Sequence, residues 1–107
     1  MERRKFDKKL FDSLQSCTNV FRDNDESNRK RYCALGKLGA ACGVIDDNTL
    51  DRNVGKSMCW FLAELCISDR KVQEIAVTNN SGDFAKADQM VLDYVMSYTE
   101  AFEVVNA

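Results

Sequence analysis

The most apolar part of this sequence is the ten-residue segment Met58-Cys59-Trp60-Phe61-Leu62-Ala63-Glu64-Leu65-Cys66-Ile67, in which Glu64 is the one charged residue. It is too short to cross a bilayer, which requires about 20 apolar residues, so protein must cover it. On a helical wheel, one apolar face consists of Met58, Phe61, Leu62, Leu65 and Cys66. The opposite face consists of Trp60, Ala63 and Ile67, with Glu64 at its edge. The segment is therefore predicted to be a central helix that needs a cover on both faces.

The composition indicates a folded helical domain. Hydrophobic residues make up 45% and charged residues 30% of the 107 positions, which is typical of an ordinary folded domain with one modest core. There is no proline and there are only five glycines, so long helices are favoured. We therefore expect residues 1–107 to form a single all-α domain. Its predicted architecture is a compact bundle of four or five helices around the central helix, which spans about residues 48–67.

Hydrophobic spacing and capping residues define the other predicted helices. Asp7 is the candidate cap of the first, with Phe6 and Phe11 as its hydrophobic staple, and a start one turn earlier is the alternative. A strand from Val72 to Thr78 is less favoured than a helix because it has no evident partner strand. The first predicted helix ends near Arg22. The second runs from about Asn28 to Cys42 and the third from about Asn48 to Ile67. A short fourth helix follows Ser68-Asp69, and the fifth spans Phe84 to Val105.

Glycine and polar residues mark close contacts and helix ends. A glycine inside a helix costs about 1 kcal/mol relative to alanine, so Gly36 and Gly39 are predicted to let another backbone come close. Gly43 is predicted to end the second helix. Residues 46–49, Asp46-Asp47-Asn48-Thr49, are predicted to cap the third helix, and residues 23–28 and 78–83 to form loops.

The five cysteines show no metal or disulfide pattern, because none of them forms a C-x-x-C pair. Each lies near an apolar stripe, so we expect reduced thiols that are mostly buried in the core. The sequence opens Met-Glu-Arg-Arg-Lys without a following apolar stretch, so neither a signal peptide nor a membrane segment is predicted. A cytoplasmic location is therefore expected. The five cysteines are Cys17, Cys33, Cys42, Cys59 and Cys66.

The residue types needed for common catalytic sites are missing. The sequence has no histidine, which excludes histidine-dependent triads and removes the commonest nitrogen ligand of metals. Gly55-Lys56-Ser57 matches the end of a P-loop, but Leu50 stands where its first glycine is required. Residues 51–57 alternate like calcium ligands, yet Lys56 replaces the required glycine. We therefore predict no enzyme activity, no catalytic residues, no metal site and no cofactor.

Residues 39–54 have some features of a helix-turn-helix, the unit that many DNA-binding regulators use. The predicted turn is about one residue too long, and the carboxylates of Asp46, Asp47 and Asp51 would face phosphates. A tight corner between packed helices is therefore the favoured interpretation. In the alternative interpretation, bases and phosphates would be contacted by Asn48, Arg52, Asn53 and Lys56.

Charge is distributed unevenly along the chain. Residues 1–31 carry nine basic and six acidic side chains, whereas residues 32–107 carry six basic and eleven acidic ones. We interpret the basic cluster Arg3, Arg4, Lys5, Lys8 and Lys9 as a solvated helix face, because acidic residues are interleaved with it. A row on the last helix is interpreted as a solvated face as well, and consists of Asp83, Asp88, Asp93, Glu100 and Glu103.

These patterns favour a small non-enzymatic protein that binds another macromolecule, as an inhibitor or an adaptor. Phage and mobile-element inhibitors of host machinery are often chains of this composition. The predicted partner is another protein, with a homodimer favoured, nucleic acid less favoured and no membrane. The predicted contact residues are Trp60, Ala63, Glu64 and Ile67. The alternative function is a DNA-binding transcriptional regulator that uses residues 39–54.

Overall fold

The structure is a computed structural model that describes residues 2–107. This part of the chain has five helices and four short strands, and the strands form two separate two-stranded sheets. The predicted all-α bundle is therefore wrong, and the fold is mixed α/β. In chain order the elements are β1 (Arg4–Asp7), α1 (Lys8–Ser13), β2 (Arg22–Asn24), β3 (Lys30–Tyr32), α2 (Ala34–Ala41), α3 (Asp51–Glu64), α4 (Asp69–Asn80), α5 (Phe84–Ser97) and β4 (Phe102–Val105).

The first sheet joins the first and last elements of the chain. Strands β1 and β4 run parallel, with Arg4 opposite Phe102 and Asp7 opposite Val105. The ring of Phe6 packs on that of Phe102 with their centroids 6.4 Å apart, and both residues are buried. The predicted long last helix is therefore wrong beyond Ser97. The apolar spacing continues, but the chain turns at Tyr98, whose carbonyl accepts a hydrogen bond from the Ala101 amide (3.1 Å).

The second sheet is a hairpin that replaces the end of the predicted first helix and the start of the second. Strands β2 and β3 are antiparallel, and residues 25–29, which overlap the loop predicted at residues 23–28, connect them. The main chain of Tyr32 also binds residues on its other side, donating to the Gln15 carbonyl (2.8 Å) and accepting from the Cys17 amide (3.2 Å). These hydrogen bonds require an extended chain at residues 15–17, so α1 ends at Ser13.

The N-terminal signals of α1 are confirmed. The carboxylate of Asp7 accepts a hydrogen bond from the Leu10 amide at 3.0 Å. The rings of Phe6 and Phe11, the predicted staple, lie 5.3 Å apart. Only the length of this helix was wrong, because its cap and staple are local and its end is set by Tyr32.

The central helix of the structure is α2, and the predicted central helix at about residues 48–67 is wrong. All eight residues of α2 are buried. A Cβ atom added to Gly36 would lie 2.0 Å from the carbonyl oxygen of Phe21, and one added to Gly39 would lie 2.2 Å from the sulfur of Met58. The absence of side chains at these positions lets the Phe21 backbone and the Met58 side chain approach α2 closely. The predicted close approach of another backbone is therefore confirmed at Gly36 and wrong at Gly39, where the close neighbour is the Met58 side chain.

Helix α3 covers one side of α2 and leaves its own other side to solvent. Its buried residues follow one another at steps of three and four, and Leu65 continues the series: Val54, Met58, Phe61 and Leu65. Leu50 occupies the N-cap without a side-chain hydrogen bond, so the predicted cap in residues 46–49 is wrong. Those residues instead close a turn of their own, in which the Asn48 amide donates to the Asp46 carboxylate (2.8 Å).

Arg22 fixes the start of α3 against the hairpin. Its guanidinium is almost completely buried and donates to the Asp46 carbonyl (2.5 Å), the Thr49 carbonyl (2.6 Å) and the Asp51 carboxylate (2.7 Å). Because Arg22 belongs to β2, these three bonds anchor the loop before α3 to the hairpin. The direction in which α3 leaves the core is therefore set by the second sheet.

Helices α4 and α5 pack together and complete the core. The hydroxyl of Ser68 accepts from the Lys71 amide (3.1 Å), which confirms the predicted cap of α4. In α5 the buried residues are Ala87, Val91 and Val95. Within residues 2–107, every helix is too short or too polar to cross a membrane.

Candidate interaction surface

The side of α3 that faces away from the core is a continuous exposed surface, which we name the α3 outer face. It arises because consecutive residues of a helix point about 100° apart, so that burial of Phe61 turns Trp60 outward. Trp60 is 65% exposed, whereas Phe61, the next residue, is 2% exposed. The α3 outer face consists of the exposed residues Arg52, Asn53, Lys56, Cys59, Trp60, Ala63 and Glu64.

Three of the four predicted partner-binding residues share this face. Trp60, Ala63 and Glu64 are exposed on the last two turns of α3, whereas Ile67 lies beyond the helix and packs half-buried against the core. The structure therefore brings together the first three and separates Ile67 from them.

The C-terminal end of the α3 outer face is tied to the first sheet. The guanidinium of Arg4 forms an ion pair with the Glu64 carboxylate and lies over the Phe61 ring, 5.0 Å from its centroid. Both side chains of the ion pair are partly exposed, so water screens the attraction and the pair contributes little stability. The ion pair orients Glu64 but leaves it accessible to a partner.

The residues of the nucleic-acid alternative are exposed as well. Arg52, Asn53 and Lys56 lie on the first two turns of α3, and Asn48 lies in the preceding loop. Residues 42–50 separate α2 from α3, whereas a helix-turn-helix joins its helices by a turn of three or four residues. The structure therefore places Arg52, Asn53 and Lys56 at the N-terminal end of α3, which follows a nine-residue connection from α2.

The remaining charged clusters do not form continuous rows. The basic N-terminal residues are divided between β1 and α1, where Lys8 forms an ion pair with Asp12. Of the predicted acidic row, Asp83 caps α5 and Glu103 lies on β4. The prediction that each cluster forms one helix face is therefore wrong, because β1 replaces the start of the predicted first helix and β4 replaces the end of the predicted last one.

An ion pair that was not predicted from the sequence lies in the core. Lys37, in the middle of α2, is 3% exposed, and its ammonium group donates to the Asp88 carboxylate and to the Ser16 hydroxyl, both at 2.6 Å. The only signal was a lysine within the apolar run Ala34–Ala41. The pair joins α2 to α5, and we assign it a structural role because a buried charge needs a partner.

The cysteines divide between the core and the α3 side of the molecule. Within residues 2–107 all five thiols are free of disulfide bonds. Burial, followed by the nearby Asp23 carboxylate, raises the pKa of Cys17 to about 11, and burial raises the pKa of Cys42 to about 12. These thiols stay protonated at neutral pH and are unreactive. Cys17 and Cys33 are buried, Cys42 is half-buried, and Cys59 and Cys66 are exposed, so the prediction that most cysteines are buried is wrong.

Val77, another of the exposed large apolar residues, provides a comparison. Val77 is 64% exposed and borders a groove of about 490 Å³ between α4 and α5. The ion pair of Arg70 with Glu74 lies along the same groove. Val77 is thus as exposed as Trp60, but it is smaller and lies on a different part of the surface.

Comparisons with protein-family models, with curated proteins and with solved structures find no match to this chain. The chemistry of the α3 outer face therefore follows from its own residues. It presents an indole ring beside a small residue, Ala63, with charged side chains around them. Protein interfaces combine an aromatic centre with a polar rim in this way, whereas small-molecule sites are concave pockets. Among the described residues, no group of three or more cysteine and acidic side chains is placed to hold a metal ion.

Proposed function

We propose that this chain is a small non-enzymatic protein that binds another protein through the α3 outer face and acts as an inhibitor or an adaptor. The observation that carries the proposal is the exposure of Trp60, 65% of which faces solvent in the middle of a helix. Burying a large apolar side chain stabilises a protein by about 1.5–3 kcal/mol, and that gain is still available to Trp60 when a partner binds. Tryptophan is also among the residues that contribute most to protein interfaces.

The surroundings of Trp60 support the same function. Ala63 is one turn away and has a small side chain, so a partner can approach the helix closely beside the indole. Lys56 and Glu64 lie one turn before and after Trp60, where they would form a charged rim. An aromatic anchor with a rim of opposite charges supplies both affinity and orientation in protein complexes.

Affinity capture with matched variants tests this proposal. The parent chain, Trp60→Glu and Val77→Glu would each be used to capture proteins from the native source, followed by mass spectrometry. We expect a protein that the parent and Val77→Glu recover and that Trp60→Glu does not, because only Trp60 would be buried in the complex. Circular dichroism should show all three folded, since both substituted positions are exposed. Equal recovery by Trp60→Glu would exclude the α3 outer face as the binding site.

A DNA-binding regulator remains the second candidate function. It is supported by the exposure of Arg52, Asn53 and Lys56 at one end of one helix. If this candidate is right, Arg52→Ala and Lys56→Ala should each weaken duplex binding, and affinity should fall steeply with salt because phosphate contacts release counterions. The measurement is gel retardation in low salt with micromolar protein. Absence of any retarded duplex would eliminate this candidate.

A further inference from the structure

We infer that the α3 outer face binds a second copy of this chain, with the two α3 helices packed antiparallel about a two-fold axis near Trp60. This inference rests on the proposed function for the location of the surface, and it adds the identity and the orientation of the partner. It follows from the order of the charges along α3, from the size of the side chains beside Trp60, and from the symmetry of such a contact.

The charges of the α3 outer face are arranged with opposite signs at its two ends. Arg52 and Lys56 are exposed on the N-terminal half of the helix. Glu64 is exposed at its C-terminal end, where it also pairs with Arg4 of β1. The helix dipole has the same polarity, positive at the N-terminus and negative at the C-terminus. A partner that complements this surface must therefore present acidic groups opposite Lys56 and basic groups opposite Glu64.

A second copy in the antiparallel orientation meets that requirement. Lys56 and Glu64 are each four residues from Trp60, in opposite directions along the helix. Reversing the helix about Trp60 therefore brings Lys56 of each copy opposite Glu64 of the other. The two helix dipoles then also oppose each other, which is favourable. In a two-fold dimer each contact occurs twice, so one complementary pair of residues gives two ion pairs.

The parallel orientation would be unfavourable. It would place Lys56 opposite Lys56 and Glu64 opposite Glu64, and like charges that face each other across an interface are repulsive. Orientation is therefore determined by charge, and the indole supplies most of the apolar contact. Ala63 on one side of Trp60 and Cys59 on the other have small side chains, which leave room for the indole of the second copy.

The size of the surface predicts the strength of the dimer. Helix α3 has 14 residues and is about 21 Å long at 1.5 Å per residue. A single helix contact of that length buries less than the roughly 800 Å² per partner of a standard interface. We therefore expect a dissociation constant in the micromolar range, with monomer predominating in dilute solution.

Charge reversal provides the first test, by sedimentation equilibrium of the whole chain over a wide range of concentration. We expect the parent to dimerise and Lys56→Glu and Glu64→Lys each to weaken the dimer about tenfold or more. The double variant Lys56→Glu/Glu64→Lys should recover part of the affinity, because it exchanges the partners across the interface but places the new lysine beside Arg4. Glu64→Gln is the control for loss of the contact with Arg4. A monomeric parent at several hundred micromolar, or a double variant no better than the single ones, would overturn the inference.

The two exposed cysteines provide the second test, because they lie at different distances from the proposed axis. Cys59 is one residue from Trp60 within α3, whereas Cys66 lies two residues past the end of the helix at Glu64, and the two Glu64 ends would themselves be about 12 Å apart along the helices. A short bismaleimide should cross-link the Cys66→Ser variant, which keeps Cys59, into a dimer. The Cys59→Ser variant should stay monomeric on a denaturing gel. Equal cross-linking of both variants would indicate a parallel dimer and overturn the inference.

The two proposals fail in different measurements. If the parent is monomeric and neither cysteine variant is cross-linked, the second copy is excluded. The binding function would still be supported if Trp60→Glu lost a captured protein that Val77→Glu retained. If Trp60→Glu captures the same proteins as the parent, the surface itself is excluded.

Discussion

Helices α2 and α3 lie side by side in the core but are built on opposite plans. Every residue of α2 is buried, although its residues are mostly alanine, glycine and leucine. Helix α3 carries Trp60, Phe61 and Met58, yet only part of its surface is covered. The comparison shows that the helix at the centre of this fold is the one whose small side chains let other elements pack closely against it. Large apolar side chains, as in α3, instead bury one face of a helix and leave the other exposed.

The largest expected effect separates the two faces of α3. Phe61→Ala should lower the free energy of unfolding by about 4 kcal/mol, because it removes a ring that is 2% exposed and leaves a cavity. Trp60→Ala, at the next residue, should change it by no more than about 0.5 kcal/mol when measured in dilute protein. Urea unfolding followed by circular dichroism gives both values. Similar losses for the two variants would mean that Trp60 belongs to the core.

The second prediction concerns the close approach at α2. Gly36→Ala should lower the free energy of unfolding by about 3 kcal/mol, because the added Cβ would lie 2.0 Å from a backbone oxygen. That oxygen, on Phe21, also accepts the Cys33 amide at 3.0 Å, so it cannot move away freely. The measurement is the urea concentration at the midpoint of unfolding, with the dependence of the free energy of unfolding on urea unchanged. A loss below 1 kcal/mol would show that the Phe21 segment yields easily.

Asn79 tests how the N-terminus of α2 is held. Its side chain is 1% exposed, accepts a hydrogen bond from the Ala34 amide (3.0 Å) and donates one to the Cys17 carbonyl (2.8 Å). Asn79→Ala should lower the free energy of unfolding by about 2 kcal/mol, because two buried backbone groups lose their partners. Asn80→Ala, at the exposed neighbouring position, is the matched control and should be nearly neutral. Equal effects of the two substitutions would contradict the role of these hydrogen bonds.

The smallest expected change has the opposite sign. A Cβ added to Gly55, within α3, would meet nothing within 4 Å. Gly55→Ala should therefore raise the free energy of unfolding by about 1 kcal/mol, the difference in helix propensity between the two residues. Thermal unfolding measures the gain. A lower free energy of unfolding for Gly55→Ala would contradict the open space around this position.

Several local signals in the sequence predicted local structure correctly, whereas the cap predicted in residues 46–49 is wrong. The cap at Asp7, the staple of Phe6 with Phe11 and the cap at Ser68 each depend on residues within one or two turns, and all three are confirmed. Gly43 was predicted to end a helix, and it follows the C-cap of α2 with φ +73°. Such signals need no knowledge of the remaining fold.

The strands were missed because their partners are distant or their segments short. Phe6, Leu10, Leu14, Cys17 and Phe21 recur at helical spacing, yet Phe6 lies in β1 and Phe21 has a φ of 63°. Four-residue strands give too few positions to reveal alternation. The central helix was misplaced because the prediction relied on large apolar side chains, which are concentrated in residues 58–67, whereas the buried residues of α2 are mostly small. The wheel did separate Trp60 and Ala63 from Met58 and Phe61, and the structure has the same division.

The parallel pairing of β1 with β4 has a consequence for how the chain folds during synthesis. Arg4 and Phe102 are neighbours in the sheet, although nearly the whole chain lies between them in sequence. On the ribosome β1 is made long before β4 and has no strand to pair with until β4 emerges. Contacts between such distant positions slow folding, because a long loop must close before they form. We therefore expect this sheet to form late and α1, whose cap and staple are local, to form early.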